Sequence, residues 1–151
     1  MDIPKLIISL LITMGSGILG SLVTTTRGWY GTLNKPSFNP PGWVFGPVWT
    51  ILYLMMGISL YLVWMSNSKL KNIALIVFAA QLVLNAIWSP LFFGLHSPLL
   101  AFIDIVLMWV AIIATIYFFY QVSRPAAYLL IPYLFWVSFA AFLNLSIYRL
   151  N

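Results

Sequence analysis

The 151-residue sequence contains no cysteine and one histidine, and only 6% of its residues are charged. The absence of cysteine excludes disulfide bonds and thiolate metal sites. Soluble domains carry about 25% charged residues, so this chain lies far below the usual level. Aspartate and glutamate together number two against seven cations, which gives a formal net charge of +5. These cations are scattered and form no basic patch, so the sequence does not indicate nucleic-acid binding.

Hydrophobic residues make up 63% of the chain, and the mean hydropathy is +1.03. No water-soluble fold of this size could bury so much apolar surface, so a bilayer is expected to surround it. A membrane-spanning helix needs about 20 apolar residues, and the few charges separate stretches of that length. The alternating pattern of a β-barrel is absent. The sequence predicts a single-domain, all-α bundle of five membrane helices, with spans near 6–25, 43–65, 73–94, 99–121 and 126–148.

The first span contains the pattern GxGxxG at residues 15–20. A dinucleotide site would need a preceding strand and an acidic residue about 20 positions later, and both are missing. We therefore interpret this region as a packing surface, because small residues let helices approach closely in lipid. Its members share helical spacing and are Thr13, Gly17, Gly20 and Thr24. A cleavable signal peptide is the alternative, but the apolar stretch is long for one.

Three other spans carry aromatic or amide side chains at helical spacing. Buried amides are costly in hydrocarbon unless they are paired, so the face of the third span that carries Gln81 and Asn85 is expected to point into the bundle. Anchoring at the membrane interface and simple core filling are the alternative interpretations of the aromatic residues. Asp104 lies in the first turns of the fourth span, where a carboxylate is favoured by the helix dipole, so a structural role and a functional role both remain open for it. The three faces comprise Phe45, Trp49 and Tyr53; Gln81, Asn85 and Trp88; and Tyr133, Trp136, Ala140 and Leu143.

The segment KPSFNPPGWVFGPVW, residues 35–49, separates the first two spans. Prolines 36, 40 and 41 fix φ and lack N–H groups, so the segment cannot readily form a long helix. A plain linker would be rich in glycine and serine instead. The sequence predicts a stiff, proline-rich lid that leads into the second span, with Arg27 and Lys35 as cations at its rim.

Taken together, these segments resemble the TspO/MBR family of tryptophan-rich sensory proteins and translocator proteins, the peripheral-type benzodiazepine receptors. The resemblance rests on RGWYGTLNKPSFNPPGWVFGPVWTILY at 27–53, QLVLNAIWSPLFFG at 81–94, IDIVL around Asp104, and LLIPYLFWVSFAAFLN at 129–144. Order and spacing agree over nearly the whole chain. The pattern PxxxPPxxxxGxxW at 36–49 is far more specific than a short glycine motif.

The resemblance implies a five-helix bundle that binds protoporphyrin IX or haem, and also isoquinoline and benzodiazepine ligands. No obligatory cofactor or metal site is implied. The resemblance further implies a homodimer, and the sequence as a whole fits an integral protein of a bacterial cell membrane. The tail LNLSIYRLN departs from the family's cholesterol motif, so we expect weak or no cholesterol binding. The implied ligand-binding residues are Tyr30, Pro40, Trp49, Asn85, Trp88, Trp136, Ala140 and Leu143, with Phe45, Tyr53 and Ile105 nearby.

Three classes of function remain open at this stage. The first is a tetrapyrrole receptor or sensor. The second is an enzyme that degrades porphyrin with light and oxygen, in which Trp49 and Trp136 would be the catalytic residues. The third is a transporter of tetrapyrroles or sterols. No acid–base pair, nucleophile or metal cluster is visible, and His96 is expected to be a loop residue rather than a haem ligand.

Overall fold

A computed structural model describes all residues from 1 to 151, and it contains helices but no strands. Five helical segments are long and apolar enough to cross a membrane, which confirms the predicted class. Because Pro90 and Pro132 interrupt regular hydrogen bonding, the third segment ends in a π-helical turn and the fifth is divided in two. The helices are α1 (Ile3–Ser21), α2 (Trp29–Thr32), α3 (Gly42–Trp64), α4 (Lys71–Ser89, continued by the π-helical turn Pro90–Gly94), α5 (Pro98–Val122), α6 (Arg124–Leu129) and α7 (Ile131–Leu150).

The ends of the helices follow local side-chain chemistry. The Asp2 carboxylate caps α1 by accepting a hydrogen bond from the Lys5 backbone amide at 3.1 Å. Helix α1 therefore begins at Ile3, three residues before the predicted start of the first span. The Ser97 hydroxyl caps α5 in the same way, with a 3.2 Å bond from the Leu100 amide. Helix α1 ends at Ser21 rather than near residue 25, because a run of threonines follows.

The helices close into a ring whose two ends are packed differently. Helix α1 packs on α3 and α4, α5 packs on α4 and α7, and α6 packs on α3. Ser59 of α3 donates a 2.7 Å hydrogen bond to the carbonyl of Ala126 in α6. Helices α3 and α7 are not among the closely packed pairs. The end near α6 is therefore solid, while the opposite end leaves space between α3 and α7.

The solid end contains the main hydrophobic core. Its buried residues come from the middle and second half of α3, the first half of α4, α5 from Ile105 to Phe119, and α6 with the start of α7. Phe78 and Phe119 stack there with ring centroids 5.6 Å apart. Met56, Val63 and Ile112 are fully buried beside them. This packed half of the bundle supports the other half, which is hollow between α3 and α7.

The predicted small-residue face of α1 contacts two different helices. Gly17 lies against the ring of Tyr53 in α3, and the Thr13 hydroxyl donates a 2.9 Å hydrogen bond to the Tyr53 carbonyl. Just beyond the end of α1, the Thr24 hydroxyl lies 3.2 Å from the Ser89 hydroxyl of α4, within hydrogen-bond distance. The glycine pattern is thus a helix-packing surface, and it carries one wall of the hollow half.

Candidate ligand-binding cavity

A cavity of about 480 Å³ lies in the hollow half of the bundle. Pockets of about 300–1,000 Å³ hold drug-sized ligands. Of the sequence-predicted residues, Pro40 does not line it, because it is half-buried just before α3 begins. The other ten predicted residues do line it: Tyr30, Phe45, Trp49, Tyr53, Asn85, Trp88, Ile105, Trp136, Ala140 and Leu143.

Aromatic rings form the walls of the cavity and hold one another in place. Trp49 stacks on Tyr53 with centroids 5.5 Å apart, as expected for residues one helical turn apart on α3. Phe45 of α3 and Trp136 of α7 pack in a T-shaped arrangement with ring centroids 5.9 Å apart. Trp88 stacks on Phe92 at 4.9 Å, beside the π-helical turn. The walls therefore combine flat apolar faces from α3, α4 and α7.

A chain of hydrogen bonds runs from the cavity into the core. The Tyr53 hydroxyl donates to Asn85 Oδ1 at 2.6 Å, and Asn85 Nδ2 donates to the Tyr133 hydroxyl at 2.8 Å. The Tyr133 hydroxyl in turn donates to Gln81 Oε1 at 2.7 Å. These bonds make the amides of Asn85 and Gln81 tolerable in the middle of a membrane span. The side chain expected to orient a ligand is thus itself held by two tyrosines.

The indole groups of two wall tryptophans differ in hydrogen bonding. Trp88 Nε1 donates to Asn144 Oδ1 at 2.9 Å, and Asn144 Nδ2 donates to the Pro98 carbonyl at 2.9 Å. Trp136 Nε1 is buried and has no partner. Sequence reasoning missed Asn144, although an amide one helical turn beyond Ala140 in a membrane span is a detectable signal.

The loop between α1 and α3, residues 22–41, covers the cavity and is fixed to the bundle by aromatic contacts. It is called the lid from here on, because only residues 35–41 of the predicted lid are loop, while residues 42–49 form the first turns of α3. Its short helix α2 follows Gly28, which has a φ of 65° that favours glycine. Trp29 stacks on His96 with centroids 4.6 Å apart, and Tyr30 packs against Phe93 at 5.5 Å. Farther along, Phe38 stacks on Phe142 of α7 at 5.3 Å.

Polar contacts also hold the lid. The backbone N–H of Asn34 donates to Asn151 Oδ1 at 3.0 Å, and Asn151 Nδ2 donates back to the backbone carbonyl of Asn34 at 2.9 Å. These bonds join the lid to the end of α7, and the aromatic contacts join it to the turn after α4. The lid thus bridges two walls of the cavity.

The charged and titratable groups near the lid lie outside the cavity, apart from Tyr30. Lys35 Nζ lies 4.5 Å from the centre of the Tyr30 ring, and Arg27 is exposed. Burial raises the pKa of the Tyr30 phenol above its ordinary value, so this ring faces the cavity as a neutral group. Asp104 is buried in α5 but does not line the cavity, and its Oδ2 has no hydrogen-bond partner.

The cavity opens sideways between α1 and α3. Several residues both line the cavity and are exposed on the outside of the bundle, which marks the position of the opening. Ile18 on α1 is 59% exposed, and nothing lies within 4 Å of a Cβ built at Gly46 on α3. Ser21 on α1 and Thr50 on α3 also lie at the opening, so its edges carry hydroxyl groups beside apolar ones.

The sequence is similar to known membrane proteins over almost its entire length. The model for the TspO/MBR family matches residues 8–149. Tryptophan-rich protein TspO of Chlorobaculum tepidum is 48% identical over 93% of this chain and 91% of its own length. The protein of the same name from Archaeoglobus fulgidus is 44% identical over 100% of this chain and 99% of its own. The translocator protein of Bos taurus is 40% identical over 99% and 90%.

Proposed function

The chain belongs to the TspO/MBR family of membrane proteins, and we propose that it is an integral membrane receptor that binds tetrapyrroles in the cavity beneath its lid. One observation carries the proposal: Trp49, Trp88 and Trp136 surround a single cavity of about 480 Å³. Flat aromatic walls bind a flat apolar ring through offset stacking and burial of ring surface.

Protoporphyrin IX or haem, as a ligand rather than an obligatory cofactor, fits this chemistry. The ring faces meet tryptophan, while the ring's two carboxylates suit the cations Arg27 and Lys35 outside the cavity. Isoquinoline and benzodiazepine ligands would use the same walls without the charges. No histidine lines the cavity, so haem would be held by its ring faces. We further propose a homodimer with weak or no cholesterol binding.

Photo-oxidation of bound porphyrin is the second candidate. Trp49 on α3 and Trp136 on α7 line the same cavity, so a ring bound there would lie within reach of both indoles. We expect that replacing both with phenylalanine lowers porphyrin affinity by less than about tenfold, or about 1.4 kcal/mol, because most apolar volume is kept. Absorbance titrations in darkness and turnover under light with oxygen check this. If the parent protein and the double variant degrade porphyrin at the same rate, the enzymatic candidate is excluded.

Transport is the remaining alternative, and relatives carry the name translocator protein. Flux of protoporphyrin IX into sealed proteoliposomes separates it from simple binding. A receptor saturates at the number of protein molecules present, whereas a transporter moves many ligands per molecule across the bilayer.

Neutralising the cations at the rim should discriminate between ligands. We expect Arg27→Gln with Lys35→Gln to weaken the binding of protoporphyrin IX by about five- to thirtyfold at low salt, since each exposed charge contributes about 0.5–1 kcal/mol. A neutral isoquinoline ligand should bind unchanged. The porphyrin loss should shrink with added salt, because the Debye length falls.

The matched control for the rim variant removes the same charge from the opposite end of the bundle. Lys69→Gln with Lys71→Gln should leave both affinities unchanged in equilibrium titrations. If the control pair weakens protoporphyrin IX as much as the rim pair does, the effect comes from net charge and the rim has no specific role.

A further inference from the structure

The hydrogen-bonded chain that starts at the cavity can run in either direction. Tyr53 and Asn85 line the cavity, whereas Tyr133 and Gln81 are each only 1% exposed and lie behind it. In the observed direction every donor points inward, from Tyr53 to Asn85, then to Tyr133, and finally to Gln81. The last acceptor is Gln81 Oε1, and Gln81 Nε2 has no hydrogen-bond partner.

Reversal costs no hydrogen bond. If both amides turn over, Gln81 Nε2 donates to Tyr133, the Tyr133 hydroxyl donates to Asn85 Oδ1, and Asn85 Nδ2 donates to Tyr53. A hydroxyl group donates one hydrogen and accepts at its lone pairs, so each junction works in both directions. Because Gln81 Nε2 is unpartnered at present, turning the Gln81 amide breaks no other contact.

The two directions differ at the cavity. In the observed direction the Tyr53 hydrogen is used by Asn85, so Tyr53 can only accept a hydrogen bond from a ligand. In the reversed direction the Tyr53 hydrogen is free and can be donated to a ligand carbonyl. Resting on the proposed ligand-binding function, we propose that Tyr53, Asn85, Tyr133 and Gln81 form a reversible relay that adapts the cavity to ligands of either polarity. Gln81 is then a positioning residue, since it acts through the other three.

Gln81→Leu should bias the relay. Without Gln81, the observed direction leaves the Tyr133 hydroxyl hydrogen with only the Met108 sulfur, a weak acceptor 3.5 Å away. The reversed direction satisfies that hydrogen at Asn85, so Tyr53 should become a donor toward the cavity. An unsatisfied buried donor is costly, which sets the preference.

Two porphyrins that differ only in polarity provide the test. One carries acetyl groups, which only accept hydrogen bonds, and the other carries 1-hydroxyethyl groups at the same ring positions. We expect Gln81→Leu to shift the affinity ratio by about three- to tenfold in favour of the acetyl porphyrin, the worth of one hydrogen bond. In a Tyr53→Phe background the same substitution should leave the ratio unchanged, because the reporting hydroxyl is gone.

A purely structural role for Gln81 would move both affinities equally, or would shift the ratio equally in both backgrounds. Either result overturns the relay, as does an unchanged ratio. Infrared spectra of ring-labelled tyrosine give a readout without ligand, with the Tyr53 band identified from Tyr53→Phe. Tyr53 should be a hydrogen-bond donor in the parent protein and an acceptor in Gln81→Leu. If neither porphyrin binds the parent protein, the proposed function fails, and the infrared comparison still decides the relay.

Discussion

Ala140→Phe is expected to lower the affinity for protoporphyrin IX at least a hundredfold, a loss of about 3 kcal/mol of binding free energy. Ala140 lines the cavity one helical turn after Trp136 on α7. A benzyl group there would project into the space a flat ring needs between the tryptophans. The cavity walls are held by packed aromatic neighbours, so they cannot retreat without overpacking the interior. Equilibrium titration by porphyrin absorbance and tryptophan quenching measures the effect.

The adjacent residue offers a matched control. Ala141 is on the same helix but borders a shallow outer groove with Phe102 and Trp109 instead of the cavity. Ala141→Phe adds the same group to the same helix, and it should leave affinity within about threefold because the cavity is untouched. If both variants lose binding equally while remaining folded, the ligand does not occupy the cavity. If Ala140→Phe binds normally, the proposed site is wrong.

The five-helix class could be predicted because it depends on solvent and length. Two acidic residues and 63% hydrophobic residues leave the bilayer as the only compatible surroundings. The exact ends of the helices were harder to predict from the sequence, since they depend on individual capping residues. The short α6 and the π-helical turn could not be placed by hydropathy, because Pro132 and Pro90 change local hydrogen bonding without changing apolarity.

The candidate site, too, could be predicted from the sequence only in part. Helical spacing placed Phe45, Trp49 and Tyr53 on one face, and the structure brings that face to the cavity. Spacing could not reveal the bond from Asn85 to Tyr133, since it depends on which helices become neighbours. The hollow itself arises because α3 packs on α6 and not closely on α7. That arrangement is a property of the whole ring and not of any single segment.

Gly57→Val is expected to destabilise the bundle by about 3 kcal/mol, at the upper end of the cost of overpacking a protein interior. A Cβ built at Gly57 lies 2.9 Å from the Thr13 hydroxyl oxygen and 3.0 Å from the Leu10 Cα. The Leu10 contact is backbone, so a side-chain rotation cannot relieve it, and α1 must move away from α3. That movement would also strain the Thr13 hydrogen bond to the Tyr53 carbonyl. Thermal unfolding in detergent should shift down by about 6–12 °C, at about 2–4 °C per kcal/mol.

Position 15 separates this steric effect from the general cost of losing a glycine. Gly15 lies on α1 and has nothing within 4 Å of a built Cβ, so Gly15→Val should change the unfolding temperature little. Membrane insertion should be intact in both variants, because valine is more apolar than glycine. Gly57→Val should in addition lose ligand affinity, since α1 and α3 border the opening of the cavity and Tyr53 lines it. Equal unfolding temperatures for the two variants would show that α1 and α3 do not approach each other through Gly57.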